Sequence, residues 1–332
     1  TEWKYAIGAT YFLPNDYVLT ADYLYSDVKN AAVIRDITRV DTGVDAPDGR
    51  PIYDSVNGRR QDFMLTNVQG DSGYRQSLSL GLSKTYEFGL DWALSYAYTS
   101  TKEVSPMTSS VAFSNYLNNT SDPENPGLGK SNYEIPHRFT LNVNYATEFV
   151  EGYTTRFTLF GTANEGRPYS YTFNGGDQFG DSVGFIDRQL MYVPTGVDDP
   201  KVVFGPDFDT DAFFDYVKAE GLDEWSGGIM ERNGINSDWW TKFDIKITQE
   251  FKGFSKNHKA SAFIVIENFG NMLNDDWGVM YETSFPRAQE IVGSSINDNG
   301  QYVFEEFIKP TGQTRVADAS LWEVRIGVKY DF

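Results

Sequence analysis

The sequence has no cysteine, two histidines and no apolar run longer than Ala262-Phe263-Ile264-Val265-Ile266. Without cysteine there is no disulfide framework and no thiolate zinc site. A five-residue run is far short of the roughly 18 apolar residues that a membrane-crossing helix requires. Basic residues are also in short supply: 28 Lys+Arg face 47 Asp+Glu, a formal charge of −19. A phosphate backbone is repelled by such a chain, so nucleic acid is excluded as a partner. Aromatic residues, in contrast, make up 16% of the chain, more than a disordered acidic protein carries. Length alone, 332 residues, is that of about two ordinary domains.

The informative pattern is alternation. From Val324 to Phe332 every even position is apolar (Val324, Ile326, Val328, Tyr330, Phe332), while the odd positions are the polar Glu323, Arg325, Lys329 and Asp331 and the small Gly327. Successive strand residues point to opposite faces, so one face is apolar and the other polar. Read from Ser320 to Phe332, this is the last of nine such stripes. The others run through Trp3–Leu13, Tyr17–Tyr25, Leu78–Leu82, Phe88–Tyr98, Phe139–Tyr145, Tyr153–Leu159, Phe243–Phe251 and Lys259–Phe269. Several reach the roughly 9–11 residues of a tilted bilayer-spanning strand, whereas strands of a soluble sandwich average about 5–6. The fold class expected is all-β, a transmembrane antiparallel barrel.

The connections alternate too. Short turns lie at Pro14–Asp16, Glu87, Val150–Gly152 and Lys252–Asn257, and long loops at about 29–73, 101–136, 174–237 and 271–319. Short periplasmic turns and long extracellular loops are the signature of an outer-membrane barrel. Aromatic residues at the short-turn ends (Tyr17, Tyr86, Phe88, Phe149, Tyr153, Phe251, Phe254, Tyr330 and Phe332) read as an interfacial girdle. By this parity the two termini lie at opposite ends of the wall. Bacterial barrels have an even strand count, so the expectation is a C-terminal part of something larger, or a strand overlooked before Trp3. Nine strands alone also leave two open edges, which lipid does not tolerate.

The segments Gly234–Phe251 (GINSDWWTKFDIKITQEF) and His258–Gly278 (HKASAFIVIENFGNMLNDDWG) resemble the C-terminal barrel of Oar-like TonB-dependent outer-membrane receptors. Asn132–Thr140 (NYEIPHRFT), Gly166–Phe173 (GRPYSYTF) and Tyr192–Phe214 are similar to the same family, as is the terminal Tyr330-Asp331-Phe332 to a barrel-assembly signal. The resemblance implies a 22-stranded barrel in the outer membrane of a Gram-negative bacterium. It implies a plug domain coupled to TonB, and the barrel-assembly machinery as a partner through Phe332. Residues 1–332 then form the C-terminal part of the barrel. Neither plug nor TonB box nor regulatory-like domain is read in these residues, so a preceding segment or a second chain is expected to complete the wall.

Candidate site residues follow from the pattern. The polar stripe assigns Arg75, Arg138, Arg156, Lys242, Asp244, Lys246, Glu323, Arg325 and Lys329 to the lumen. Trp225 and Trp277 are placed to stack on a ligand at the loops, while Trp239 and Trp240 read as interface anchors. Asp207, Asp209 and Asp211 have the spacing that opens a calcium loop. Ala212 and Lys218 stand where that loop needs Gly and Glu, however, so the better reading is a helix over Thr210–Ala219 capped by Asp209 and ended by Gly221. Looser calcium binding there stays open. Loop 174–237 holds 13 acids and four bases. It reads as a solvated outer surface, or as an acidic lid. Neither His137 nor His258 is accompanied by a catalytic motif. The function expected is ligand binding and import with no enzyme activity and no cofactor. The alternatives are a passive porin and a surface adhesion or assembly protein.

Overall fold

A computed structural model describes residues 1–56, 61–68, 70–181, 187–255, 258–310 and 312–332. The last two residues of the expected turn at Lys252–Asn257, and small parts of loops 29–73, 174–237 and 271–319, lie outside the described residues.

Nine long strands form one antiparallel meander: β1 (Glu2–Leu13), β2 (Tyr17–Val28), β3 (Gly73–Thr85), β4 (Leu90–Glu103), β5 (His137–Val150), β6 (Tyr153–Asn164), β7 (Trp240–Lys252), β8 (Lys259–Glu267) and β9 (Glu323–Asp331). Each pairs with its neighbours in sequence, and a two-residue strand, Gly129–Lys130, adds to the end of β4. Among the described residues β1 and β9 each have one unpaired edge. Among the described residues no helix is long and apolar enough to cross a membrane.

The register follows the stripes. Tyr5 opposes Tyr25, Tyr23 opposes Leu78, Leu94 opposes Leu141, Leu159 opposes Ile245, and Ile264 opposes Ile326. A one-residue slip anywhere would send charges to the apolar face, so the pattern itself fixes the pairing. Glycines accept the largest neighbours. The Phe243 ring lies over Gly161, and the Phe263 ring over Gly327, its direct partner, where a Cβ would collide. That contact explains how Phe263 fits on the predominantly polar face.

Both sides of the wall differ from a soluble sheet. None of the buried hydrophobic side chains lies in the nine strands, while Ile7, Ile326 and Val328 are more than 70% exposed. The wall is a single layer whose apolar face is suited to hydrocarbon rather than to a core. At the short-turn end that face carries Tyr17, Phe149, Phe251 and Tyr330, with Phe149 edge-on to Phe157 and Tyr330 beside Phe254. At the long-loop end a second aromatic belt appears, of which only Trp239 is marked in the sequence. His137 stacks on Trp239 at 6.3 Å and on Tyr96 at 6.0 Å, and Phe139 packs on both Tyr96 and Trp239. Phe139 and Phe149 are about ten residues apart on β5, about 33 Å along a strand and about 25 Å across the bilayer at a ~40° tilt. That is the height of a lipid-facing band.

The long loops are not independent of one another. They fold together into a cap with its own core. A mixed five-stranded sheet in the order 202–204, 302–307, 288–296, 168–174, 235–236 carries the helix Thr210–Ala219. Between them sit Tyr171, Phe173, Met191, Phe213, Ile291, Tyr302 and Phe304, all fully buried. The two pairings 168–174 with 288–296 and 202–204 with 302–307 are parallel and join the third loop to the fourth.

Three end assignments shift. Phe88 lies in the turn before β4, which begins at Leu90. Ser320 belongs to a helical turn, Ala317–Ser320, and is buried with its hydroxyl on the Val316 carbonyl, so β9 begins at Glu323. Phe269 opens the helix Phe269–Leu273 after Asn268, whose φ of 51° ends the strand.

Candidate functional site

Two surfaces can do chemistry: the polar face of the wall and the cap. The register carries Arg75, Arg138, Arg156, Lys242, Asp244, Lys246, Glu323, Arg325 and Lys329 onto one face. Arg138 opposes Ala97 and Asn164, Thr158 opposes Lys246, Lys246 opposes Val265, and Val265 opposes Arg325. Many of these charges are paired across or along strands. Arg325 reaches Glu323 at 2.8 Å and Glu267 at 3.1 Å, Lys242 reaches Asp244 at 3.3 Å, and Lys329 reaches Asp331 at 2.7 Å. Arg75 lies 3.7 Å from Glu103. Asp244 also accepts the Asn268 amide, and Lys246 lies over the Phe263 ring at 5.3 Å. Tyr330 takes the apolar face, its hydroxyl 2.9 Å from His258 Nδ1 and 2.9 Å from the Phe254 amide, and Phe332 extends beyond the strand with its ring 6.3 Å from Tyr330.

The cap is held by buried charge. Asp181 accepts the guanidinium of Arg188 (2.9 and 2.7 Å) and the Gln189 amide (2.6 Å), with Arg39 at 3.5 Å. Arg188 also donates to the Tyr116 carbonyl and lies 4.1 Å from its ring centroid. Arg50 pairs with Asp48, donates to Leu190 O and Gln189 Oε1, and covers Phe179 at 4.7 Å. Burial alone would push the Arg188 guanidinium down, but the Asp181 carboxylate outweighs it and raises the proton affinity. The network thus ties loops 29–73, 101–136 and 174–237 together. Glu124 is another interior anchor. It accepts the Asp36 amide and the Tyr116 hydroxyl, and burial raises its carboxyl above the usual range.

Loop 174–237 is therefore not uniformly a solvated acidic surface. Asp181 and Asp199 are buried, whereas Asp207, Asp209, Asp211 and Asp215 are exposed. The helix expected at Thr210–Ala219 is present with those ends. Asp209 Oδ1 accepts the Ala212 amide at 3.0 Å, and Gly221 follows with φ 70°. Of the two readings of Asp207, Asp209 and Asp211, the helix cap is the one seen here. One of the three carboxylates is taken by the helix N-terminus, and among the described residues no three acidic or histidine side chains converge to hold a metal ion.

The tryptophans divide. Trp225 is half-buried against the cap core and over Gly234, so it packs rather than offering a free stacking face. Trp277 is 56% exposed in a turn whose Asp275 and Trp277 carbonyls accept the Asn271 amide. Trp240 corrects the interface assignment. It opposes Asn164 on the polar face and its indole donates to Gly278 O at 3.1 Å. Trp239 keeps to the aromatic belt with His137, whose Nδ1 lies 2.8 Å from the Tyr96 hydroxyl.

One concavity in the cap was not read from the sequence. A cavity of about 450 Å³ opens between loops 101–136 and 271–319. Asn118, Asn119, Asn132, Tyr133, Phe285 and Arg287 line it, and no carboxylate does. The available signal was the amide-rich run Asn115–Asn119, which has no strand period to draw attention to it.

Residues 3–271 match the model of a family described as "Outer membrane beta barrel domain". No curated protein and no solved structure matches the chain.

Proposed function

The chain belongs to the outer membrane beta barrel domain family and is a protein of the Gram-negative outer membrane; on that premise we propose that it is the C-terminal barrel of a TonB-dependent receptor that binds a ligand at the cell surface and imports it. The observation that carries the reading is the cap. Loops 29–73, 174–237 and 271–319 share one apolar core, and loop 101–136 is joined to them by a smaller cluster of Ile34, Tyr116 and Leu117 and by the Arg188 bond to the Tyr116 carbonyl, which makes a recognition surface of fixed shape rather than a set of flexible loops. Conductance alone requires no such core. The resemblance in Trp239–Gly278 supplies the TonB-dependent, Oar-like part of the proposal.

In this reading the polar face lines a lumen and seats a plug supplied from outside these 332 residues. Strands from the same source, or from a partner chain, pair the edges of β1 and β9, since unpaired backbone groups in lipid are costly. The apolar face meets outer-membrane lipid, and Phe332 serves recognition by the barrel-assembly machinery. The work done is binding and transport, with no bond chemistry. A surface adhesin would carry a folded cap as well, and the test separates the two. Native protein extracted from outer membranes is passed over immobilised periplasmic domain of TonB. Retention that free TonB domain competes away is expected. A protein that passes unretained would sink the receptor reading and leave the adhesin.

A further inference from the structure

We propose that the cavity between loops 101–136 and 271–319 is a binding site for a neutral oligosaccharide. Its lining is an unusual combination: amide side chains, two exposed rings and no carboxylate, on a chain of charge −19.

Four of its features point to a ligand. First, Asn119 is 6% exposed, lines the cavity, and its Oδ1 has no hydrogen-bond partner among the described residues, while its amide donates to Arg287 O at 3.4 Å. A buried carbonyl oxygen left unpaired is costly, and a turn of the side chain toward the cavity would let a ligand hydroxyl satisfy it. Second, the neighbouring amides are held in place by bonds that leave their other ends available. Asn118 Nδ2 donates to Ser105 Oγ and Asn115 O, and Asn132 Oδ1 accepts from Asn233. That leaves one acceptor and one donor, the pair that adjacent sugar hydroxyls, each both donor and acceptor, can engage. Third, Tyr133 and Phe285 are 56% and 83% exposed, platforms of the kind on which the C–H face of a pyranose lies. Fourth, seven non-glycine residues among those described have positive φ. Five are Asn or Asp, which tolerate it; of the other two, Arg287 (φ 66°) lines this cavity and Met107 (φ 46°) sits between its lining residues Pro106 and Thr108. Held backbone of this kind concentrates at functional sites.

The volume is within the range of small-ligand sites. With Arg287 as its sole charge and no acid to bind a cation, the cavity suits an uncharged polyol better than an ionised ligand. The inference goes beyond the receptor reading and does not depend on TonB, because binding to detergent-solubilised protein needs no energy input.

The test titrates the purified native protein with maltotriose, cellotriose and chitotriose, with a neutral tripeptide as comparison, by calorimetry and saturation-transfer NMR. Saturable binding of at least one trisaccharide is expected. Tyr133→Ala and Phe285→Ala, both at exposed positions, should each weaken it roughly two- to ten-fold, with saturation transfer strongest at sugar ring protons. Failure of all three sugars to bind, sugar binding unchanged in both variants, or capture of the tripeptide instead would each overturn the assignment.

Discussion

The Arg232 guanidinium, from the third long loop, donates to the carbonyls of Glu103 and Val104 at the end of wall strand β4. It reaches Gly129 O as well, at 3.4 Å, and only a glycine leaves room there. Arg232 is 5% exposed, and burial pushes its guanidinium down to about 10, so it stays charged at neutral pH. Lys102–Glu231 at 2.9 Å and the bonds from Asn233 to Lys130 and Asn132 reinforce the same junction. One cation thus fastens the cap to the wall.

Arg232→Met should therefore loosen the cap and leave the wall intact. Three buried carbonyls lose a charged donor, and the expected loss is on the order of 3 kcal/mol. Limited proteolysis should cut the variant within residues 174–237 at protease levels that the parent resists, with the barrel's heat-modifiable mobility unchanged. Equal resistance of the two proteins would remove Arg232 from this role.

Asp209 and its neighbours separate a helix cap from a metal site. Asp209→Ala removes the acceptor for the Ala212 amide and should destabilise the cap by about 1 kcal/mol. Asp207→Asn and Asp211→Asn, both exposed, should fall within about 0.5 kcal/mol of the parent. Added calcium should shift none of the melting curves. A calcium-dependent rise lost in all three variants would restore the metal reading.

Acid should act on the cap through opposed groups. Burial raises the Asp199 carboxyl's proton affinity, but the amides of Thr195 and Lys201 and the Tyr192 hydroxyl more than offset this and hold it below its ordinary value. Its stabilising contribution is present above an unfolded value of 3.8 and is lost as pH falls through the lower folded value. Glu124 and Glu134 are raised, chiefly by burial, so their contribution has the reverse sign. It is full below 4.5 and declines as pH rises through their folded values. Mild acidification from neutrality should not weaken the cap through these three groups. Asp199→Asn should lower stability at pH 7 and converge with the parent below pH 3.8, as followed by cap proteolysis across pH. A constant difference at every pH would contradict the assignment.

The wall was legible because its physics is local. In β7, Phe243, Ile245 and Ile247 against Lys242, Asp244 and Lys246 state the strand, its face and, with the stripe of β6, its register. The ends were less so. Ser320 continues the period yet serves a helical turn, since its hydroxyl finds Val316 O. The cap was legible only in its helix, where Asp209 and Gly221 are local signals. Its sheet was hidden because 168–174 finds 288–296 across more than a hundred residues, and Tyr171 and Phe173 are buried without a clean alternation. Trp225 was misread for the same reason: sequence shows an aromatic in a loop, not the core it packs on. Trp240 was misread because the hydrophobic side chain faces the polar side, where the Gly278 carbonyl takes its indole N–H.

The account rests on one wall with lipid on one side and water on the other, and the absence of cysteine allows that to be measured cleanly. Single spin labels are placed at Val143, Leu159 and Ile245 on the apolar face and at Asn142, Thr158 and Lys246 on the polar face, in protein reconstituted into bilayers. Collision with oxygen should dominate at the first three positions and collision with a water-soluble nickel chelate at the second three, alternating residue by residue. Uniform nickel accessibility across both sets, or the opposite phase, would contradict it.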